Sequence, residues 1–224
     1  MRFRAIATDY DSTLATEGNA FPPALNALRQ AQAAGRKLIL VTGRELESLR
    51  SVFPGMGLFD LIVAENGALL FFPASSRELL LCQAVPNGLL TALQRKGVTP
   101  LSAGRCVIGT VTPQEQIVEQ TIEQLHLHWQ IIMNRESVMV LPTGINKGTG
   151  FTAAMAEFGL HPSEAMGIGD AENDHDFLRL CGLPVAVGNA ILSLKQEAKF
   201  IAKAERGAGV VEALSHLRQI DPET

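Results

Sequence analysis

The chain has 224 residues, of which 46% are hydrophobic and 19% are charged, and its formal net charge is −4. This length suits one core with a sizeable insertion or two small domains, and the apolar content argues against a disordered chain. We expect no nucleic-acid partner and no membrane partner, because both favour a basic face that an acidic chain lacks. The three cysteines form no CxxC pair, and the sequence shows neither a signal peptide nor an apolar run of the ~20 residues that span a bilayer, so we expect a cytoplasmic protein.

The first third of the chain alternates short apolar runs with helical segments. An apolar run at 4–8 is followed by a helix with Pro22 and Pro23 in its first turn, and a glycine at position 35 suits its end. A second run at 37–41 precedes a short helix at 44–52, and a third run lies at 61–64. Uniformly apolar strands separated by helices are typical of a parallel sheet that is covered on both faces.

The middle of the chain has a different pattern and reads as a separate small α+β unit. Its predicted elements are extended segments at 79–84 and 105–111, helices at 86–96 and 113–127, and a hairpin of 129–133 with 137–141. The alternation of strands and helices then returns, with helices at 147–158, 174–180, 189–199 and 210–217, and strands at 165–168, 184–187 and 200–202. We therefore predict an α/β core of residues 1–75 and 144–224 with an inserted domain of residues 76–143.

Polar side chains follow the predicted strands. Asp9 and Asp11 come after the first strand, Thr42 after the second, and the others after the third and fourth: Glu65, Asn66, Asp170 and Asp174. Ligands bind beyond the carboxyl ends of the strands in such a sheet, so these side chains are expected to share one crevice. Several carboxylates in one place need a cation, and oxygen ligands without a nearby His or Cys favour Mg²⁺.

These residue types suit phosphoryl transfer. A carboxylate can attack phosphorus and form an aspartyl phosphate, and a second carboxylate two residues later can protonate the leaving alcohol. Lys147 can neutralise the phosphoryl oxygens together with the metal. Thr42 and the backbone of Gly43 can donate hydrogen bonds to the phosphate.

Four segments resemble the motifs of the haloacid dehalogenase (HAD) superfamily, and they occur in the same order. The segments are Asp9-Tyr10-Asp11-Ser12-Thr13, Val41-Thr42-Gly43-Arg44, Asn146-Lys147-Gly148 and Gly169-Asp170-Ala171-Glu172-Asn173-Asp174. The long gap between the second and third segments, with the stretch Ala64-Glu65-Asn66-Gly67-Ala68, resembles the Cof-like phosphatases. The resemblance covers the whole chain. It implies a Rossmann-like HAD core with helices on both faces of a parallel sheet and a small α+β cap inserted in that gap.

The resemblance also implies a role for each matching residue. Asp9 is expected to be the nucleophile and Asp11 the general acid and base. The phosphate ligands would be Thr42, Gly43, Arg44, Lys147 and Asn173. Mg²⁺ would be held by Asp9, the backbone carbonyl of Asp11 and Asp170, with Asp174 either as a further ligand or behind the ligands. One departure is Ser12, because Cof-like enzymes usually have Gly there. Tyr10 is bulkier than the usual residue, and its side chain is expected to point away from the phosphate.

The predicted function is hydrolysis of a small phosphorylated metabolite, such as a sugar phosphate, phosphoglycolate or a phosphoglycerate derivative. A phosphomutase of the same superfamily is an alternative, although its cap normally lies between the first two motifs. A second alternative is a regulatory module that accepts phosphate without releasing it, but such receivers lack an insertion. Arg44 could instead pair with Glu47, and Asp176 is expected to be structural. The sequence leaves open whether the protein is a monomer or a dimer.

Overall fold

The computed structural model describes residues 1–222. Its strands are β1 (Ala5–Asp9), β2 (Ala15–Thr16), β3 (Asn19–Ala20), β4 (Lys37–Val41), β5 (Leu61–Ala64), β6 (Leu69–Phe72), β7 (Arg77–Leu80), β8 (Ser102–Ala103), β9 (Ile108–Val111), β10 (Trp129–Asn134), β11 (Ser137–Pro142), β12 (Ala165–Gly169), β13 (Leu183–Ala186) and β14 (Phe200–Ile201). Its α-helices are α1 (Pro22–Ala33), α2 (Leu46–Val52), α3 (Asn87–Arg95), α4 (Glu115–Gln124), α5 (Lys147–Glu157), α6 (His175–Leu178), α7 (Leu192–Glu197) and α8 (Arg206–Ile220).

The large sheet has eight strands in the order β14-β13-β12-β1-β4-β5-β6-β7. The strands from β14 to β5 run parallel to one another, as predicted. All residues of β1, β5, β12 and β13 are buried, because helices cover both faces of this part of the sheet. The predicted α/β class is confirmed.

Two antiparallel strands extend the sheet beyond β5. The chain reverses after β5 through Glu65, Asn66 and Gly67, whose φ angles are 52°, 55° and 104°. A Cβ atom on Gly67 would lie 1.9 Å from the backbone oxygen of Asn146, so this position requires glycine. The reversal lets β6 pair with β5, and β7 then pairs with β6.

Residues 77–80 lie at the start of the predicted insertion of residues 76–143. They form β7 at the edge of the large sheet. All four side chains are exposed and do not alternate in polarity, so the sequence gives no sign that they continue an otherwise buried sheet. The division of the chain into a core and a cap stays a proposal, and β7 belongs to the large sheet.

The rest of the inserted segment forms a separate layer around a small sheet, and we call this layer the small domain. Its four strands lie in the order β10-β11-β9-β8 and are antiparallel where they pair. Helices α3 and α4 cover one face of this sheet and share a hydrophobic core with it: Leu89, Leu93, Val98, Ile108, Val118, Ile122, Val138 and Val140. Side chains alternate along β11, so Met139 and Leu141 belong to a separate small cluster. The predicted hairpin is confirmed as β10 and β11.

Several helix bounds differ from the prediction. The helix predicted at 189–199 is only Leu192–Glu197; the Asn189 side chain lies before it, donates to the backbone oxygen of Ser12 and accepts from the backbone N–H of Arg206. The helix predicted at 174–180 is a short 3₁₀ turn, Glu172–Asp174, followed by α6. The last helix begins earlier and ends later than its predicted range of 210–217. Among residues 1–222, no helix has the length and apolar character that crossing a bilayer requires.

Candidate active site

The predicted site residues lie at the carboxyl ends of the parallel strands and at the start of α5. Five of them line a cavity of about 820 Å³ between the large sheet and the small one. The core side contributes Asp9, Asp11, Gly43, Arg44 and Asp170 to its lining. The small sheet contributes Asn134, Arg135 and Met139, which come from the β10–β11 hairpin and from β11.

Three carboxylates come together at the floor of this site. Asp9, Asp170 and Asp174 are buried, and each offers an oxygen within 4.8 Å of the other two. Asp174 also fixes the loop after β12, because its Oδ2 accepts hydrogen bonds from the backbone N–H groups of Asp170 and Ala171 at 2.8 and 3.1 Å. Thr13 donates to Oδ1 of Asp170 at 3.0 Å, which orients that carboxylate.

Lys147 lies within this cluster at the start of α5. Its Nζ donates to Oδ1 of Asp9 and to Oδ1 of Asp174, both at 2.6 Å, and the side chain is 1% exposed. The helix start is fixed by the preceding residue, because the Asn146 side chain accepts from the backbone N–H of Thr149 at 2.9 Å and the Thr149 hydroxyl accepts from the backbone N–H of Asn146. A fixed cation therefore bridges two of the three carboxylates.

The charges of the cluster are not balanced by lysine alone. Burial, together with repulsion from Asp174 and Asp170, raises the pKa of Asp9 well above its usual range, although Lys147 opposes the shift. Burial and Asp174 likewise raise the pKa of Asp170. Burial opposes protonation of Lys147, but Asp174 and Asp9 outweigh it and raise the pKa of the lysine. A divalent cation among these oxygens would supply the missing positive charge, so the donor set fits a hard metal ion.

The carboxylate of Asp11 lies outside this group of three. It is held by Arg44, whose Nε and Nη2 each donate to one of its oxygens at 2.7 Å. Arg44 also donates to the hydroxyl of Ser48 and does not pair with Glu47, which pairs with Arg50 and Arg105 instead. The predicted roles of the Asp11 carbonyl as a metal ligand and of Arg44 as a phosphate ligand stay predictions.

Asn173 and Asn66 meet in the buried wall of the site. Nδ2 of Asn173 donates to Oδ1 of Asn66 at 3.0 Å. Among the described residues, the remaining oxygen of Asn173 and the remaining nitrogen of Asn66 have no hydrogen-bond partner. The role of Asn173 in orienting the phosphate or Lys147 stays a prediction. Unsatisfied buried amide atoms of this kind are available to a ligand.

Glu65 does not join the other carboxylates, although it was grouped with them at the strand ends. Its side chain is turned toward the small domain, where it accepts hydrogen bonds from the backbone N–H groups of Arg105 and Cys106 at 3.0 and 2.7 Å. Its positive φ angle turns the chain at the end of β5. Glu65 therefore ties the inserted segment to the core.

The first motif differs from its expected pattern at two positions. Ser12 has a φ of 61°, a left-handed conformation that explains why Gly is usual there. Tyr10 is fully buried, packs against Phe53 and donates its hydroxyl proton to the backbone oxygen of Gly18 at 2.7 Å. Its side chain points away from the carboxylate cluster, as predicted.

Two residues near the cluster were not predicted as site residues. Thr13 is the last residue of the first motif, so its position in that motif could have indicated a place in the site. Arg135 lies in the turn of the β10–β11 hairpin and donates from Nη2 to Oδ2 of Asp170. Nothing in the sequence indicates that a turn of the insertion reaches across to the core.

Comparison with known proteins identifies the family of this chain. The family model described as haloacid dehalogenase-like hydrolase matches residues 6–95 and 101–214. The chain belongs to this family. The match includes every motif residue from Asp9 to Asp174, and it covers elements of both sheets.

The similar relatives and structures cover nearly the whole chain. The chain is 29% identical to phosphoglycolate phosphatase 2 of Saccharolobus solfataricus, over 95% of this chain and 91% of the relative. It is also 29% identical to the phosphoglycolate phosphatase of Nitrosopumilus maritimus, over 98% of each chain. Its fold matches a haloacid dehalogenase-like hydrolase from Bacteroides thetaiotaomicron with a TM-score of 0.80 and 19% identity, over 96% of this chain and 99% of the other.

Proposed function

We propose that this hydrolase is a Mg²⁺-dependent phosphatase that cleaves a small phosphomonoester through a phospho-aspartate on Asp9. The observation that carries the proposal is the buried group of Asp9, Asp170 and Asp174 with Lys147 bridging two of its members. This group lies at the strand ends and opens into a cavity large enough for a small metabolite. Neither the phosphate-accepting module nor the phosphomutase is favoured by these observations.

The proposed metal ligands are Asp9, Asp170, Asp174 and the backbone carbonyl of Asp11. When bound, Mg²⁺ would neutralise negative charge on the carboxylates and on the phosphoryl group. Lys147 adds a fixed positive charge beside Asp9, which is where the phosphoryl group must lie for attack. The backbone N–H of Arg44 donates to the Thr42 hydroxyl oxygen at 3.1 Å, so the hydroxyl proton is free to donate to a phosphoryl oxygen.

The reaction has two steps. A carboxylate oxygen of Asp9 forms a bond to phosphorus as the ester P–O bond breaks, and the leaving oxygen takes the electron pair and a proton from Asp11. In the second step Asp11 takes a proton from water, and the water oxygen attacks phosphorus and releases phosphate and free Asp9. In the structure both oxygens of Asp11 accept hydrogen bonds from Arg44, so Asp11 must leave this contact to carry the proton that it transfers.

We propose that the inserted domain covers the leaving group and sets the choice of substrate. Several similar relatives are named phosphoglycolate phosphatase, and a similar structure is described as a HAD subclass IIB sugar phosphatase. These names make 2-phosphoglycolate and sugar phosphates the first substrates to test. The cytoplasmic location, the lack of nucleic-acid and membrane partners and the monomeric or dimeric state stay predictions.

The test is phosphate release from ethyl phosphate, 2-phosphoglycolate and a hexose phosphate, with Mg²⁺ and with a chelator. Asp9→Asn should lower kcat to below about one part in a thousand, because the nucleophile is removed while the shape is kept. The matched control is Asp176→Asn, an exposed carboxylate in the first turn of α6, which should keep wild-type activity. Turnover that survives Asp9→Asn would overturn the mechanism, and a wild-type protein without turnover would favour the phosphate-accepting module.

A further inference from the structure

Arg135 brings a positive charge from the small domain to the metal-site carboxylates. It lies with Glu136 between Asn134 and Ser137, which pair across the β10–β11 hairpin. Its φ of 54° turns the chain at the tip. The guanidinium Nη2 donates to Oδ2 of Asp170, and the backbone N–H donates to a carboxylate oxygen of Glu172 at 3.3 Å. The tip of the hairpin is thus anchored beside the phosphoryl site.

Arg135 differs from the other cations near the cavity. Lys147 is buried beneath the site between two carboxylates. Arg44 lines the cavity, but its Nε and Nη2 both donate to the carboxylate of Asp11. Arg135 also lines the cavity, its side chain is 51% exposed, and the hydrogen-bond acceptor that its guanidinium contacts is Asp170. Among the described residues that line the cavity, Arg44 and Arg135 are the cations.

The partner of Arg135 is also a proposed metal ligand. One carboxylate oxygen of Asp170 accepts a hydrogen bond from Thr13, and the other accepts one from Arg135. A divalent cation held by Asp9, Asp170 and Asp174 would compensate the same negative charge and would repel the guanidinium. With the metal bound, Arg135 would face the cavity with its hydrogen-bond donors available.

The position of Arg135 decides which part of a substrate it can meet. The core supplies Asp9, Lys147 and Thr42 for the phosphoryl group, so the leaving group must extend toward the small domain. Glu45, on the core side, also lines the cavity and would repel an anionic leaving group there. A carboxylate on the leaving group is therefore best placed against Arg135, whose planar fork matches it.

We propose that Arg135 is a specificity residue that binds the carboxylate of the leaving group, so that the preferred substrates are small phosphorylated carboxylic acids. This inference rests on the proposed phosphatase function and concerns the same site. It requires the wild-type protein to favour 2-phosphoglycolate over ethyl phosphate, which has the same two-carbon length without the carboxylate.

The experiment compares kcat/KM for these two substrates in the wild type and in Arg135→Met, with Mg²⁺ present. We expect the variant to lose at least tenfold with 2-phosphoglycolate, which equals about 1.4 kcal/mol, and to stay within about threefold with ethyl phosphate. Arg135→Lys should keep part of the preference, because it retains the charge without the fork. The matched control is Arg95→Met, which removes an exposed arginine from the end of α3, outside the cavity lining, and should change neither value.

Each other outcome counts against the inference. An equal loss of kcat/KM with both substrates would show that Arg135 contacts the phosphoryl group, which both share, or holds the small domain against the core. No loss with either substrate would place the carboxylate elsewhere. A wild type that hydrolyses both substrates equally well would overturn the inference and leave the proposed function intact. A wild type that hydrolyses no phosphomonoester would overturn both.

Discussion

Adding Mg²⁺ to the metal-free protein should raise its melting temperature substantially. The floor of the site holds three buried carboxylates near one buried lysine, so the folded state carries uncompensated negative charge there. At a Mg²⁺ concentration one hundred times Kd, binding to the folded state adds about 2.7 kcal/mol to the free energy of unfolding. For a chain of this size, 1 kcal/mol shifts Tm by roughly 2–4 °C, so the expected rise is about 5–11 °C.

The rise in Tm should depend on pH in a defined direction. The pKa values of Asp9 and Asp170 are raised in the folded protein, so both bind a proton more tightly when folded than when unfolded. Their contribution to stability is present below the unfolded pKa near 4 and is lost as the pH rises through the folded pKa. Mg²⁺ replaces those protons, so the Mg²⁺-induced rise in Tm should be larger at about pH 8 than at about pH 5.

The assay is thermal unfolding of chelator-treated protein, with and without MgCl₂, at matched ionic strength. Asp170→Asn removes a proposed ligand and should abolish most of the rise. Asp176→Asn should retain the whole rise, because this exposed side chain is not part of the carboxylate group. Equal Tm shifts in the wild type and in Asp170→Asn would refute the assignment of the metal site.

Three further predictions concern single side chains. Lys147→Met should lower the free energy of unfolding by about 3–5 kcal/mol in urea titrations of the metal-free protein, because it leaves two buried carboxylates without their cation; an unchanged midpoint would contradict this. Ser12→Gly should stabilise the protein by about 1 kcal/mol by relieving a left-handed conformation, and a lower Tm would argue against strain. Arg135→Met should tighten Mg²⁺ binding by about two- to fivefold in calorimetry, since the ion no longer competes for Asp170, and weaker binding would contradict that competition.

The core of the site could be predicted because each residue is tied to a local sequence pattern. Asp9 and Asp170 directly follow short apolar strands, and Lys147 begins a helix after a capping asparagine. The parallel sheet brings such strand ends together regardless of their distance along the chain. The predicted secondary structure and the order of the elements along the chain were therefore enough to predict that these residues lie close together.

The contacts of the small domain could not be predicted in the same way. Glu65 has the same position at a strand end as the aspartates, but its positive φ angle directs the chain away from the cluster. Strand β7 is exposed and carries no apolar pattern, so its pairing with the large sheet depends on the antiparallel turn that precedes β6. Arg135 lies in a polar hairpin turn, where a sequence pattern does not reveal which surface the turn faces.

Asp170 links the proposed metal site to the small domain. Its carboxylate accepts from Thr13 of the core and from Arg135 of the β10–β11 hairpin, and it belongs to the group that would hold the metal. Because a bound cation and the guanidinium compensate the same charge, metal binding should weaken the contact between the hairpin and the core. By thermodynamic reciprocity, a substrate that draws Arg135 away from Asp170 should in turn strengthen metal binding. A substrate that carries a carboxylate would then favour metal binding at the site where it is cleaved.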